Sequence, residues 1–362
     1  MSSLVSISNP DHSTAADVRS LSAHRVSELP VVVLSPHNQC NCRCVMCDIW
    51  RIRQPQQISP AELEALLHAF REFGTRWVVF TGGEPQLNPQ LFSLARMLKA
   101  EGIRVTLLTA GLLLEAQAEE TAQAIDDIIV SLDGPPPLHD QIRRVPGAFD
   151  RITSGIRVLR RFRPDMQIRA RCTVQRANHA SLCATVKSAR EIGLNSISFL
   201  GADVSSPAFN HPQGWQPDRR DKVVLNAIEV DALSREVEEL IRSHAADLAA
   251  GFIVESPAKL RRIVAHFQAH LGQGSHVAPR CNAPWVSAVI EASGDVRPCF
   301  FHPVIGNIRA ATLQQIVNGP QALQFRSSLD VERDPVCRRC VCSLHIPRQS
   351  GERKAPEIRL PL

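Results

Sequence analysis

Apolar runs of strand length recur between residues 31 and 201, and stretches with helical spacing separate them. Val31-Val32-Val33-Leu34 is continuous and β-branched, the mark of a strand buried on both faces. Trp77–Phe80, Val105–Thr109, Ile128–Leu132 and Ser196–Leu200 read the same way. Ile168–Val174 alternates, with its even-numbered residues mostly apolar. Ile58-Ser59-Pro60-Ala61-Glu62 announces the first helix. Ser59 caps it, Pro60 takes its first position, Glu62 completes a capping box and Ile58 staples onto Leu63. Leu63, Leu66, Leu67 and Phe70 share one face. Strands alternating with helices predict an α/β protein on a parallel sheet. Pattern alone leaves a barrel and a doubly wound sheet both open.

Past residue 203 the rhythm ends. Ser205–Asp221 is rich in Pro, Asn, Gln, His and Gly and reads as a loop, either a substrate lid or an exposed connection. Helical segments follow near 229–250 and 257–271; the first carries Leu233, Val237, Leu240, Ile241 and His244 at helical spacing. Ser287–Ala292 and Val296–Cys299 flank Ser293-Gly294-Asp295 and predict a hairpin. Residues 1–28 show little periodicity and are expected to form a flexible leader. Residues 346–362 read as a tail.

The chain has 362 residues, 44% of them hydrophobic, enough for one large or two ordinary domains. A formal charge of +5 is slight for that length. Most basic residues are Arg, and none form the clustered stripe that nucleic acid requires, so no nucleic-acid partner is expected. No apolar run is long enough to span a bilayer, and residues 1–30 lack a signal-peptide core, so no membrane partner is expected. Eleven cysteines without an export signal argue for metal or redox chemistry in the cytoplasm rather than disulfides.

Cys40, Cys44 and Cys47 have the spacing C-x3-C-x2-C directly after the first strand, the end of a strand where barrel active sites lie. Thiolates suit iron–sulfur clusters, zinc or Cu(I). Three of them leave one iron of a [4Fe–4S] cubane open to a ligand. Structural zinc would want a fourth ligand, and Cys42, between two of the set, is badly placed to be one. The second strand runs into Thr81-Gly82-Gly83-Glu84-Pro85. Its glycines admit close backbone approach to a ligand, and Glu84 can accept from an ammonium; a plain strand-to-helix turn is the other reading. Arg143 or Arg144 could bind a carboxylate bidentately, though an exposed Arg beside a helix is the commoner case. Cys172 and Cys183 read as packing residues.

In order and position these motifs resemble the radical S-adenosylmethionine (SAM) superfamily. The resemblance implies a partial (β/α)6 barrel over residues 29–203, open on one side, and connecting segments over 204–275. Cys40, Cys44 and Cys47 would hold a [4Fe–4S] cluster whose open iron chelates SAM. Reductive cleavage would then give a 5′-deoxyadenosyl radical that abstracts hydrogen. Met46 stands where the family usually has an aromatic residue over the cluster. Gly82, Gly83 and Glu84 match the GGE motif that meets the methionine amine. Thr109, Ser131 and Asp133 would join the cofactor site, Ser131 as the firmer contact and Asp133 turned toward substrate. Adenine would pack near Leu200.

A second set begins at Cys281-Asn282-Ala283-Pro284-Trp285 and continues as C-x12-G-x4-C to Cys299, then Cys337, Cys340 and Cys342. A hairpin with a distant C-x2-C can close a four-cysteine site for zinc or a cluster. The set resembles the SPASM or "twitch" extension of radical SAM enzymes, in its shorter form. That implies a small C-terminal α+β, hairpin-containing domain over 276–345, with an auxiliary [4Fe–4S] cluster on Cys281, Cys299, Cys337 and Cys340. Cys342 is then spare: a bystander, a substitute for Cys340, or the hydrogen-atom donor of an epimerase.

The expected function is dehydrogenation or epimerisation of a small metabolite, with the auxiliary cluster moving an electron. A maturase of ribosomally made peptides is the alternative, and a non-catalytic electron carrier or scaffold is a different class. The resemblance also implies an external electron donor such as flavodoxin or ferredoxin.

Overall fold

In the computed structural model, which describes residues 24–211 and 215–347, the six expected strands are β1 (Val31–His37), β2 (Trp77–Gly82), β3 (Arg104–Thr109), β4 (Asp127–Ser131), β5 (Gln167–Val174) and β6 (Ser196–Gly201). Each pairs in parallel with the next, in register from Val31↔Trp77 to Arg169↔Ser196. Strand order follows chain order without reversal. A doubly wound sheet would reverse at a switch point, so the singly wound, partial barrel is the architecture. The outer edge of β6 is partly covered by residues 252–254, through Ile197 N–H to the Phe252 carbonyl at 2.7 Å and Val254 N–H to the Ile197 carbonyl at 3.0 Å.

The small C-terminal domain is not a separate body. Its strands β7 (Ser287–Ile290), β8 (Asp295–Arg297) and β9 (Gly306–Asn307) extend the same sheet, and β7 pairs in parallel with β1. This explains why Val31, Val32 and Leu34 are all fully buried: β1 is an interior strand. Burying each such side chain stabilises by about 1.5–3 kcal/mol. The expected hairpin is present but shorter than its sequence signal.

The helix Pro60–Glu72 starts as its residues dictate. Ser59 Oγ accepts from Glu62 N–H at 3.3 Å, and Glu62 Oε2 accepts from Ser59 N–H at 2.8 Å. Ile58 and Leu63 are both fully buried, consistent with the staple. The segment expected near 229–250 is two helices, Ala227–Ser243 and Ala245–Ala249, interrupted at His244. The helix Pro257–His270 buries Leu260, Ile263, Val264 and Phe267.

Two expectations about the ends need correction. The described part of the leader expected over 1–28 is anchored, because Val26 is buried and exchanges hydrogen bonds with the Asn318 side chain at 2.8 and 2.9 Å. Arg326 also donates to the His24 carbonyl at 2.7 Å. The tail likewise starts later than 346, since Ile346 is buried and paired with Asn282. The rest of both segments lies outside the described residues.

Candidate active site and cluster sites

The cysteine loop leaves the C-terminal end of β1, and the bonds Arg43 N–H to Arg143 O (3.1 Å) and Val45 N–H to Ile142 O (3.0 Å) pin it to the end of the helix Pro136–Arg143. Backbone N–H groups aim at sulfur: Cys42 N–H at Cys40 Sγ (3.4 Å) and Ile49 N–H at Cys47 Sγ (3.5 Å). Arg143 donates to Cys44 Sγ at 3.5 Å. A hydrogen bond from the Cys42 thiol, with help from the Arg143 charge against burial, pulls the Cys44 thiol down to about 6. Cys42 itself is pushed far up, first by hydrogen bonds with Cys40 and Cys44. It therefore lies closer to both than the spacing argument allowed. Met46 is buried beside it in an apolar cluster with Ile142, Ala202, Val204 and Val223. A loop that presents thiols, aims N–H donors at them and backs them with a cation fits an anionic iron–sulfur cluster.

The glycines of the second loop serve close packing against this one. A Cβ on Gly83 would stand 2.1 Å from the Gln39 carbonyl oxygen, and Gly82 at φ +107 would meet Ser35 at 2.7 Å. Gly83 and Glu84 N–H groups donate to His37 and Gln39 carbonyls at 3.1 and 2.7 Å. Glu84 has protein partners of its own. Its carboxylate is fully buried and accepts from Gln86 N–H (3.1 Å), Thr109 hydroxyl (2.9 Å) and Ala110 N–H (2.8 Å). Burial pushes this carboxyl up and the three donors oppose it. Glu84 thus braces β2 to β3, with Thr109 as a partner in that brace.

Asp133 is fully buried, its Oδ2 pairs with Arg143 at 2.7 Å, and its Oδ1 accepts Thr173 N–H at 2.9 Å. Burial first opposes the Arg143 charge, but Asp133 and the thiols outweigh it and hold the guanidinium above its usual value. His139 Nδ1 accepts Asp133 N–H at 3.2 Å, and burial pushes its ring down to about 3. Arg143 is thus a buried cation linking the cysteine loop to the end of β4, and of its two readings it is carboxylate binding, to Asp133, that the structure shows. Ser131 remains half-buried at the end of β4. Cys172 is a core residue.

Described residues on either side of 212–214 contact the end of the cysteine loop. Asp48 N–H donates to Phe209 O at 3.1 Å, and its carboxylate pairs with Arg219 at 2.5 Å and His211 at 3.2 Å. Phe209 also packs on Phe300, ring centroids 5.2 Å apart, so one loop touches both cysteine regions.

The second set converges. Cys281, Cys299 and Cys342 all act electrostatically on Cys340, and Cys281 and Cys299 on Cys337. Burial pushes the Cys299 thiol up to about 12. Ala283 N–H aims at Cys281 Sγ at 3.5 Å. His302, absent from the sequence reading, lies 3.3 Å from Cys337 Sγ, and Asp334 holds the Cys337 N–H at 2.8 Å. Converging thiols with backbone and ring donors at sulfur fit a second cluster. Burial dominates at Cys342 too, and the charges of Arg171, Lys259 and Asp203 act on it from the barrel side. A cleft of about 370 Å³ runs beside the second set, with Leu200 and Gly201 from β6 and Cys340 and Val341 among its lining residues.

A singly wound parallel barrel with one thiol loop after its first strand, and a second thiol set joined to that strand through β7, defines an iron–sulfur protein with two metal centres at the barrel mouth. A sequence model of the radical SAM superfamily matches residues 34–174, and one of the SPASM iron–sulfur cluster-binding domain matches 281–341. The chain thus carries a radical SAM domain and a C-terminal SPASM-type domain, which imply SAM with a radical SAM and an auxiliary [4Fe–4S] cluster as cofactors. It is 35% identical over 144 residues to the AdoMet-dependent heme synthase of Oleidesulfovibrio alaskensis, covering 38% of this chain and 37% of that one. To the pre-heme d1 synthase of Dinoroseobacter shibae it is 24% identical over 351 residues, 91% of this chain and 83% of that one. The chain spans about two fifths of the length of the heme synthases it matches. In fold it is similar to Streptococcus suis SuiB bound to S-adenosylmethionine, with TM-score 0.63, 15% identity, and 90% and 75% of the two chains covered.

Proposed function

We propose that Cys40, Cys44 and Cys47 hold the SAM-binding cluster, that Cys281, Cys299, Cys337 and Cys340 hold the auxiliary one, and that the chain removes hydrogen from a C–H bond of a small molecule, leading to dehydrogenation or epimerisation. The observation that supports this reading is the cleft that runs from the end of β6 along the helix Pro257–His270 to Cys340–Val341, beside the second thiol set. When bound, SAM and the two clusters supply a 5′-deoxyadenosyl radical and a route for one electron. The chain's own part is position and dryness. Phe199, Leu200, Ile263 and Val277 give the cleft an apolar wall, and Lys259 and Arg262 set cations beside it for an anionic group. The relatives' names, heme synthase and pre-heme d1 synthase, support a tetrapyrrole as the substrate class.

The test uses the reconstituted enzyme with SAM and an external reductant, flavodoxin or dithionite. A carboxylate-bearing porphyrin should raise 5′-deoxyadenosine above the basal yield, and Arg262→Ala should remove that stimulation but keep the basal yield. Stimulation by a ribosomally made precursor peptide and not by porphyrins would favour the maturase reading instead.

A further inference from the structure

We propose that Arg171 binds a carboxylate of the substrate inside the barrel, at the level of Ser131 and Ser198. The proposal deepens the substrate reading above and rests on it only for the choice of a porphyrin as probe.

Strand β5 places the side chain. Its even-numbered residues Ile168, Ala170, Cys172 and Val174 pack in the hydrophobic core, so Arg169, Arg171 and Thr173 point to the opposite face, the barrel interior. The register sets Arg171 beside Ser131 of β4 on one side and Ser198 of β6 on the other. Ser131 is the residue expected to contact SAM. Leu200, the next residue after Ser198 on the inner face of β6, lines the cleft. The row Ser131–Arg171–Ser198 therefore runs from the expected cofactor position toward the cleft.

The guanidinium has donors to spare. Among the described residues its one hydrogen-bond partner is the Ser198 hydroxyl, which accepts from Nε at 3.4 Å, and no carboxylate pairs with it. The carboxylates around it are taken. Arg169, two residues earlier on the same face, pairs with Asp127 at 3.5 Å, Arg143 with Asp133 at 2.7 Å, and Lys259 with Glu255 at 3.5 Å. Glu255 also accepts the Phe199 N–H at 2.8 Å. The terminal nitrogens of Arg171 form a planar fork that matches the two oxygens of a carboxylate. Burial pushes the guanidinium below its usual value, and the charges of Cys342 and then Glu255 oppose it. A cation held where little water screens it attracts an anion strongly. Cys342 is the foremost charge acting on it, which sets the fork toward the second thiol set rather than the Cys40–Cys47 loop, where SAM would be held. The carboxylate it takes is therefore the substrate's.

The test takes holoenzyme with both cysteine sets filled by iron–sulfur reconstitution and SAM present, and compares wild type with Arg171→Gln and Arg171→Lys. The dissociation constant of coproporphyrin III, a tetracarboxylate, is read by fluorescence quenching. Arg171→Gln should weaken it by about tenfold or more. Arg171→Lys, which keeps the charge without the fork, should weaken it roughly threefold. SAM affinity and iron content should stay unchanged. Equal porphyrin affinity in wild type and variants overturns the proposal. So does a loss of SAM affinity in place of porphyrin affinity, which would make SAM's own carboxylate the occupant. If Arg171→Gln loses iron, Arg171→Lys decides alone. Wild type that does not bind coproporphyrin III overturns the tetrapyrrole reading and not this one. Arg171 is then tested with formate, the bare carboxylate, in anaerobic crystals of the holoenzyme with SAM. Formate across the Arg171 fork, absent from Arg171→Lys crystals, upholds the proposal; a fork left empty, or filled by SAM, overturns it.

Discussion

Replacing Glu84 with Gln separates a brace from a ligand contact. The carboxylate accepts three hydrogen bonds, two from backbone N–H groups and one from Thr109, and it is closed to water. An amide keeps one acceptor oxygen and turns an NH2 group toward a donor that remains. Losing one charge-assisted bond costs about 1.5–3 kcal/mol, and leaving a buried donor unsatisfied costs about 1–3 kcal/mol. The sum, about 2.5–6 kcal/mol, falls on the junction of β2 and β3. Amide exchange at residues 109–111 should therefore accelerate by a factor of about 10² to 10⁴ in the reconstituted protein. Thr109→Val should speed the same amides by less, and the two changes together should be less than additive, since they act on one network. The SAM dissociation constant is measured in parallel. If Glu84→Gln leaves exchange unchanged while SAM binding weakens more than tenfold, the carboxylate opens to the ligand and the brace is wrong.

Cys42→Ser should keep about eight irons per chain, whereas Cys44→Ser should fall to about four; iron counting after anaerobic reconstitution decides it, and loss of iron in Cys42→Ser would make Cys42 a ligand. Deleting residues 281–362 should leave the rest insoluble, because it strips β7 from β1 and exposes an interior strand edge; a soluble, monomeric fragment would contradict that. Burial pushes the Glu62 carboxyl up, but the Ser59 N–H and Arg309 outweigh it and hold it below its usual value. A depressed folded-state value stabilises above the unfolded value and is lost as pH falls through the folded one. Glu62→Gln should thus lower stability by up to about 1 kcal/mol near neutral pH, allowing for solvent screening. The gap in urea midpoints should shrink below about pH 4; a gap that holds into acid would exclude the carboxylate as its source.

Much of the barrel was legible because its strands are buried on both faces and announce themselves as apolar runs. The capping box at Ser59 and the alternation of β5 were readable for the same reason: local chemistry alone decides them. The pairing of β7 with β1 was not, since a contact between residues 31 and 287 leaves no local trace beyond two apolar runs. The side-chain roles at the mouth were the least legible. Glu84 and Asp133 have the chemistry to meet a ligand, and sequence cannot tell that Ala110 N–H and Arg143 have already taken them. Arg143 was readable as a carboxylate binder but not its partners, and His302 gave no signal, because each acts through a residue distant in the chain, Cys44 and Cys337.

The central claim is that the first cysteine loop drives SAM cleavage while the second set holds its own cluster. The direct measurement is 5′-deoxyadenosine yield and iron content of Cys40→Ala/Cys44→Ala/Cys47→Ala after anaerobic reconstitution and reduction. The account predicts no 5′-deoxyadenosine and about four remaining irons. Cleavage that survives in the triple variant, or loss of all iron from a folded protein, would contradict it.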